Sequence, residues 1–351
     1  MMKLDVLLET TIKKNGSDLH LVAGSQPVIR INGKLVRLEE DKLVPEDTEK
    51  FAKEILGDDY RSLSELYEVD ASYSIPGIGR FRMNIFKQRG SISIAIRVVG
   101  LKIPSISSLG HPNVVKELAL EKRGLILVTG PAGSGKSTTL AAMVNEINEN
   151  KAAHIITLED PIEFLHKHDK SIIEQREIGK DSRNYNSALK AVLREDPDVI
   201  LIGELRDMDT ISVALTAAET GHLVLSSLHT VGVAKSINRI VDVFPPHQQQ
   251  QVRVQLAAVL NGIISQQLLS TADNSERVCA LEILKTTSAI QNMIREGKTY
   301  QIESSIQTGA KYGMKTMDMS LAELYKKKII TQEDALNSAV DREMLLRLIS
   351  L

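Results

Sequence analysis

The chain has 351 residues, 42% of them hydrophobic, which is enough for a substantial core and a length typical of about two domains. Lys and Arg total 43 against 45 for Asp and Glu, and aromatic residues make up 3% with no Trp, so neither a basic surface nor stacking platforms mark it for nucleic acid. Cys279 stands alone, which excludes an intramolecular disulfide and zinc sites of the paired-cysteine type and fits a reducing cytoplasm. Within VCALEIL it reads as a small buried hydrophobe.

The N-terminus MMKLDVLLETTIKKNG has charges breaking its apolar face, so it predicts neither a secretion signal nor a membrane span. Leu4 to Lys14 reads as an amphipathic helix stopped by Asn15 and Gly16. VIRINGKLVRL alternates apolar and polar residues around Asn32-Gly33, the pattern of a hairpin. A helical period covers Glu46 to Leu56, and DASYSI, RFRMNIFKQ and SISIAIRVV predict strands separated by PGIG and RG turns. Residues 1–100 thus form a small α+β domain. Residues 101–113, LKIPSISSLGHPN, carry Pro104, Gly110, Pro112 and three serines without a period, which predicts a linker.

From residue 114 to 351 the pattern changes. Solid apolar runs, LILVT, IITL, VILIG and LVLSSL, alternate with helical stretches, the signature of a parallel α/β sheet buried on both faces. Beyond about Phe244 the pattern is mainly helical apart from RVCALEIL, and the C-terminal region from about 286 is helical throughout.

The chemistry begins in GPAGSGKS. Gly130, Pro131, Ala132, Gly133, Ser134, Gly135, Lys136 and Ser137 match G-x-x-x-x-G-K-S, between the strand LILVT and a helix that continues through Thr138. The glycines let backbone N–H groups converge on phosphate oxygens, and the helix N-terminus adds its positive end. Lys136 would reach the β and γ phosphates of ATP, and the Ser137 hydroxyl would bind Mg2+ directly. Downstream, VILIGELRD places Glu204 just past a buried strand, at the edge where ligands of parallel sheets sit, suited to orient Mg2+ through water. A third cluster, Glu159, Asp160 and Glu163 in TLEDPIEF, offers carboxylates that could orient attacking water. The residues alone do not select one of them.

GHLVLSSLHT sets His222 and His229 at the two ends of an apolar run. Seven steps of extended chain separate them by roughly 23 Å and turn them to opposite faces, so they cannot share a metal ion. Arg194 and Arg206 flank the Glu204 strand and could bridge subunits or pair with Asp196, Asp198 or Asp207.

Together with SDLHL, GRFRMNIF, LREDPDVILIGELRD, DVFPPHQQQQVR and IREGKTYQI, these segments resemble the secretion ATPase superfamily, and in particular its pilus-retraction branch, the PilT-like proteins. The resemblance covers essentially the whole chain. It implies a PAS-like N-terminal domain joined to a RecA-like P-loop NTPase domain, a homohexamer with nucleotide between subunits, and ATP hydrolysis with Mg2+. The implied setting is cytoplasmic, at the inner-membrane pilus platform protein, with related pilus ATPases as possible co-workers. It assigns water activation to Glu163, Mg2+ support to Glu204 and γ-phosphate sensing to His229. Arg80, Arg82 and Arg97 of the N-terminal strands become candidates for neutralising transition-state charge. His222 becomes an interdomain or intersubunit contact.

Against the branch's C-terminal retraction motif AIRNLIRE, the chain reads AIQNMIRE from Ala289. Met293 for leucine conserves volume, whereas Gln291 for arginine loses a bidentate cation. That departure keeps an accessory paralogue in view. A pilus-assembly or type II secretion ATPase, a DNA-stimulated RecA-type enzyme and a non-hydrolysing regulatory ring subunit are the other readings.

Overall fold

The computed structural model describes residues 3–31, 33–75, 77–100 and 103–350. It divides into two compact units, one reaching residue 102 and including Glu163–Leu165, the other formed by Ile103–Ile162 and His166–Leu351.

The first unit runs α1 (Leu4–Lys13), β1 (Asp18–Val22), β2 (Val28–Ile31), β3 (Lys34–Arg37), α2 (Pro45–Leu56), α3 (Tyr60–Leu66), β4 (Glu68–Ile75), β5 (Gly79–Gln88) and β6 (Ser91–Val98). The strands form one antiparallel sheet in the order β3-β2-β1-β6-β5-β4. Period-two patterning explains its sidedness: Phe81, Met83 and Ile85 of β5 turn inward onto Leu4 and Leu8 of α1 and Phe51 of α2, which leaves Arg80 and Arg82 on the other face. The expected hairpin is present, with Ile31 paired to Lys34 and Gly33 at φ 79°. Asn32 lies outside the described residues.

The second unit contains α4 (Asn113–Ala119), β7 (Gly124–Thr129), α5 (Lys136–Asn150), β8 (His154–Glu159), β9 (Ile172–Glu177), α6 (Tyr185–Val192), β10 (Val199–Ile202), α7 (Met208–Glu219) and β11 (Leu223–Leu228). It continues with α8 (Val233–Asp242), α9 (Pro246–Val259), β12 (Leu260–Ser270), β13 (Arg277–Lys285), α10 (Ser288–Arg295), α11 (Ile302–Gln307), α12 (Met317–Lys326), α13 (Gln332–Ser338) and α14 (Arg342–Ser350). The sheet order is β13-β12-β7-β11-β10-β8-β9, parallel except for β13. Strands β7, β10 and β11 are buried along their whole length because helices cover both faces. Ile126 and Val128 meet Leu140, Met143 and Val144 of α5 on one face, while Leu125 and Leu127 meet the layer of α7, α8 and α9 on the other.

The stretch after Phe244 departs from the helical expectation. LNGIISQQLLS is the 11-residue strand β12, following α9 without an intervening turn. Its Leu and Gln residues are compatible with a helix, but pairing with β7 on one side and β13 on the other decides its state, a tertiary override of local preference. The edge strand β9 and the short helix α3 also carry too little periodicity to be read in advance.

Candidate functional site

The carboxyl ends of β7, β11 and β10 lie side by side and bring three separate sequence segments together. Leaving β7, the chain enters a loop in which Gly130, Gly133 and Gly135 take φ values of 144°, 76° and 88°. At Gly130 a Cβ atom would lie 2.4 Å from the Gln266 carbonyl oxygen and 2.6 Å from Ser134 Oγ, so only glycine fits. Lys136 then opens α5, and its Nζ donates to the carbonyls of Gly130 and Pro131, each at 3.0 Å. Ser137 is exposed at the first turn of the helix.

Glu204 leaves β10 at the same edge. Its exit is fixed by main-chain ties to both neighbouring strands: Gly203 N donates to Leu158 O at 2.8 Å and Leu205 N to Ser227 O at 3.1 Å. Ser227 Oγ adds a bond to the Gly203 carbonyl at 2.6 Å. Asp207 then caps α7 by accepting from Thr210 N at 2.8 Å, which turns the chain away after Arg206.

His229 stands between the two. Its Nδ1 is 3.4 Å from Lys136 Nζ and its Nε2 is 3.2 Å from Glu204 Oε2. An ammonium can only donate and a carboxylate can only accept, so the tautomer with the proton on Nε2 satisfies both contacts. Arg206 closes the other side, pairing with Glu204 and approaching Asp160 Oδ2 at 3.6 Å. Behind this cluster Tyr185 packs against Gly203. Burial pushes its phenol above the usual range, and Asp160, Glu204 and Glu159 add to the rise while Arg206 opposes it. The position of Tyr185 had no signal in the sequence, because α6 reaches the site only by packing against α7 and β8.

The other candidates fall elsewhere. Glu159 is held within the sheet, accepting from Thr157 Oγ1 at 2.7 Å and Gln175 Nε2 at 3.1 Å. Glu163 is exposed and belongs to the three-residue segment that packs with the first unit, where Gly100 bridges to Phe164. Within its own sheet Arg80 donates to Ser72 Oγ at 3.2 Å, and Arg97 pairs with Asp18 at 3.1 Å. Arg82 is exposed, opposite Ser72 on one side and Arg97 on the other. His222 lies at the opposite edge of the sheet from His229, with Nδ1 2.9 Å from the Ala217 carbonyl and 3.2 Å from Thr220 Oγ1. In this chain the His222 ring is engaged locally, at the end of α7. Arg194 and Arg206 part company, since only Arg206 joins the cluster.

The residues suit a nucleotide. Buried Ser134 Oγ and Thr129 Oγ1 have no hydrogen-bond partner among the described residues, and the glycine loop exposes main-chain N–H groups beside a lysine and a helix N-terminus. The Ser137 hydroxyl and the Glu204 carboxylate are oxygen donors of the kind Mg2+ takes.

This geometry defines a P-loop nucleotide-binding protein with a sheet-edge glutamate and a histidine linking it to the P-loop lysine. The chain belongs to the type II/IV secretion system protein family, whose model matches residues 80–344. It is 45% identical over 339 residues to the type IV pilus retraction ATPase PilT of Pseudomonas aeruginosa, covering 96% of this chain and 98% of that protein. A twitching motility protein of Neisseria gonorrhoeae is 44% identical over 340 residues, covering 97% and 91%. The crystal structure of the pilus retraction motor PilT with bound ADP superposes with a TM-score of 0.90 at 47% identity, covering 99% of this chain and all of that one.

Proposed function

We infer that this chain is an ATP-hydrolysing motor that powers type IV pilus retraction and twitching motility. The observation that carries the reading is end-to-end similarity to PilT proteins, joined to a site in which Lys136, His229 and Glu204 contact one another in series. ATP would lie along residues 130–138, with its phosphates on the loop amides and Lys136. Ser137 would hold Mg2+ directly and Glu204 through water; the metal would neutralise charge building on the phosphates. His229 links Lys136 to Glu204 and is therefore suited to report the γ phosphate to both.

The remaining roles extend the same reading. Glu163 orients the attacking water, and Arg80, Arg82 and Arg97 complete charge neutralisation when domains close. Residues 1–100 form the PAS-like domain, 101–113 the hinge and 114–351 the RecA-like domain. Six copies form a ring on the cytoplasmic face of the inner membrane, acting on a pilus platform protein, alone or beside related pilus ATPases.

The test is a deletion strain complemented with wild type or Lys136→Ala. Cells that keep surface pili but do not twitch, restored by wild type and not by Lys136→Ala, are the expected result. Loss of surface pili would instead assign the chain to assembly. Normal ATP turnover by purified Lys136→Ala would overturn the nucleotide site itself.

A further inference from the structure

The loop that follows His229 is held by two residues from the far side of the sheet. Ser265 on β12 and Glu282 on β13 are partners in the antiparallel register, which sets their side chains next to each other on one face. They accept from consecutive main-chain amides: Gly232 N donates to Ser265 Oγ at 3.0 Å and Val233 N to Glu282 Oε2 at 3.1 Å. Val233 is the first residue of α8, so the carboxylate also meets the positive end of that helix.

Further bonds brace the loop itself. Thr230 Oγ1 is 2.7 Å from Ser236 Oγ, and Ser236 Oγ donates to the Gly232 carbonyl at 2.7 Å. Gly232 turns at φ 91°, a conformation that disfavours other residues. On its other side Ser265 lies opposite Thr129, the last residue of β7 before the P-loop. The strand pair therefore ties the His229 loop and the P-loop to a common frame.

Glu282 is a costly choice for this place. It is only 9% exposed, and a buried carboxylate is unfavourable unless bonded. Burial pushes its carboxyl up to about 7, against the Val233 amide, with Glu303 and Asp318 adding to the rise. The same strand is where the C-terminal region attaches: Ile283 exchanges main-chain bonds with Lys315 at 2.8 and 3.2 Å, and Leu281 N donates to Ser320 Oγ at 3.0 Å.

We propose that Glu282, supported by Ser265, is a positioning residue for His229, holding the 229–233 loop where the imidazole bridges Lys136 and Glu204. This rests on the ATPase reading above. The test is a double-mutant cycle in steady-state ATP hydrolysis, with thermal melts of each variant in parallel. Glu282→Ala should lower kcat about tenfold or more with KM for ATP within about threefold, the pattern of a lost transition-state alignment. Glu282→Gln, whose amide carbonyl still accepts from Val233 N, should recover most of that loss. In a His229→Ala background, Glu282→Ala should cost less than about a further twofold, because the group it positions is gone.

Full additivity of the two substitutions overturns the proposal. So does a Glu282→Ala kcat within about twofold of wild type, or a His229→Ala variant with wild-type kcat. Should Glu282→Ala melt below the assay temperature, Ser265→Ala runs the same cycle, with a loss that vanishes without His229 expected and an additive loss refuting. A well-folded wild type without ATP turnover removes the ATPase reading and the proposal with it; wild-type turnover with additive losses removes the proposal alone.

Discussion

Gly203 precedes Glu204 and allows the exit of β10 to pass under Tyr185. A Cβ there would lie 2.8 Å from Tyr185 Oη, 3.4 Å from the Leu158 carbonyl oxygen and 3.6 Å from Glu159 Cα. The last two are ordinary contacts, so the strain of Gly203→Ala falls on the phenol. Tyr185 would have to retreat by about 0.5 Å or more to reach normal van der Waals separation. Asp160, Glu204 and Arg206 all act on that hydroxyl, so the retreat disturbs the site as well as the packing. Overpacking of this kind costs about 1–3 kcal/mol. For a unit of this size each kcal/mol lowers Tm by about 2–4 °C, so circular dichroism should record a drop of about 2–12 °C for Gly203→Ala. Tyr185→Phe removes the atom that clashes, and the Gly203→Ala/Tyr185→Phe double variant should regain at least about half of the lost stability through the coupling of neighbours. A Gly203→Ala melt identical to wild type, or a double variant as unstable as the summed singles, would refute the reasoning.

Other predictions follow from the same geometry. Gly130→Ala should abolish binding of a fluorescent ATP analogue, since its Cβ meets the Gln266 carbonyl at 2.4 Å and a main-chain oxygen cannot rotate away; wild-type affinity would contradict the close approach. Arg206→Ala releases the half-buried Glu204 from a guanidinium that is itself exposed, so stability should change by no more than about 1 kcal/mol. The Mg2+ concentration for half-maximal ATPase activity should fall, and a rise would show that Arg206 supports the metal site. Burial lowers His111 and His166 from the ordinary 6.5 to about 4. Below 6.5 the unfolded chain therefore binds protons that the fold refuses; the stability present above that pH is lost as pH falls towards 4. Replacing both by Gln should flatten the Tm decline between those pH values, and an unchanged slope would exclude them as its source.

Residues were legible where one segment carries its own geometry. GPAGSGKS directly follows a strand end and joins a glycine turn to a helix start in eight consecutive positions, so local spacing sufficed. Glu204 and His229 were legible for a related reason: each is a polar residue shortly after a solid apolar run, and parallel strands deliver such residues to one edge. Tyr185 and Glu282 had no such marker. Tyr185 opens a short helix whose docking over the sheet is a packing outcome, and Glu282 depends on β13 adding antiparallel to a strand that itself read as helix.

Strand order is the information that no local pattern holds, and it decides what His229 can do. β11 lies between β7, which feeds Lys136, and β10, which feeds Glu204. A residue leaving the carboxyl end of β11 is therefore set between the lysine and the glutamate, and the distances of 3.4 and 3.2 Å record that position. His222, at the start of the same strand, faces the other edge, where the end of α7 occupies its ring. The two histidines thus differ through topology rather than chemistry: placing β11 anywhere but between β7 and β10 would leave both side chains unchanged and remove the bridge.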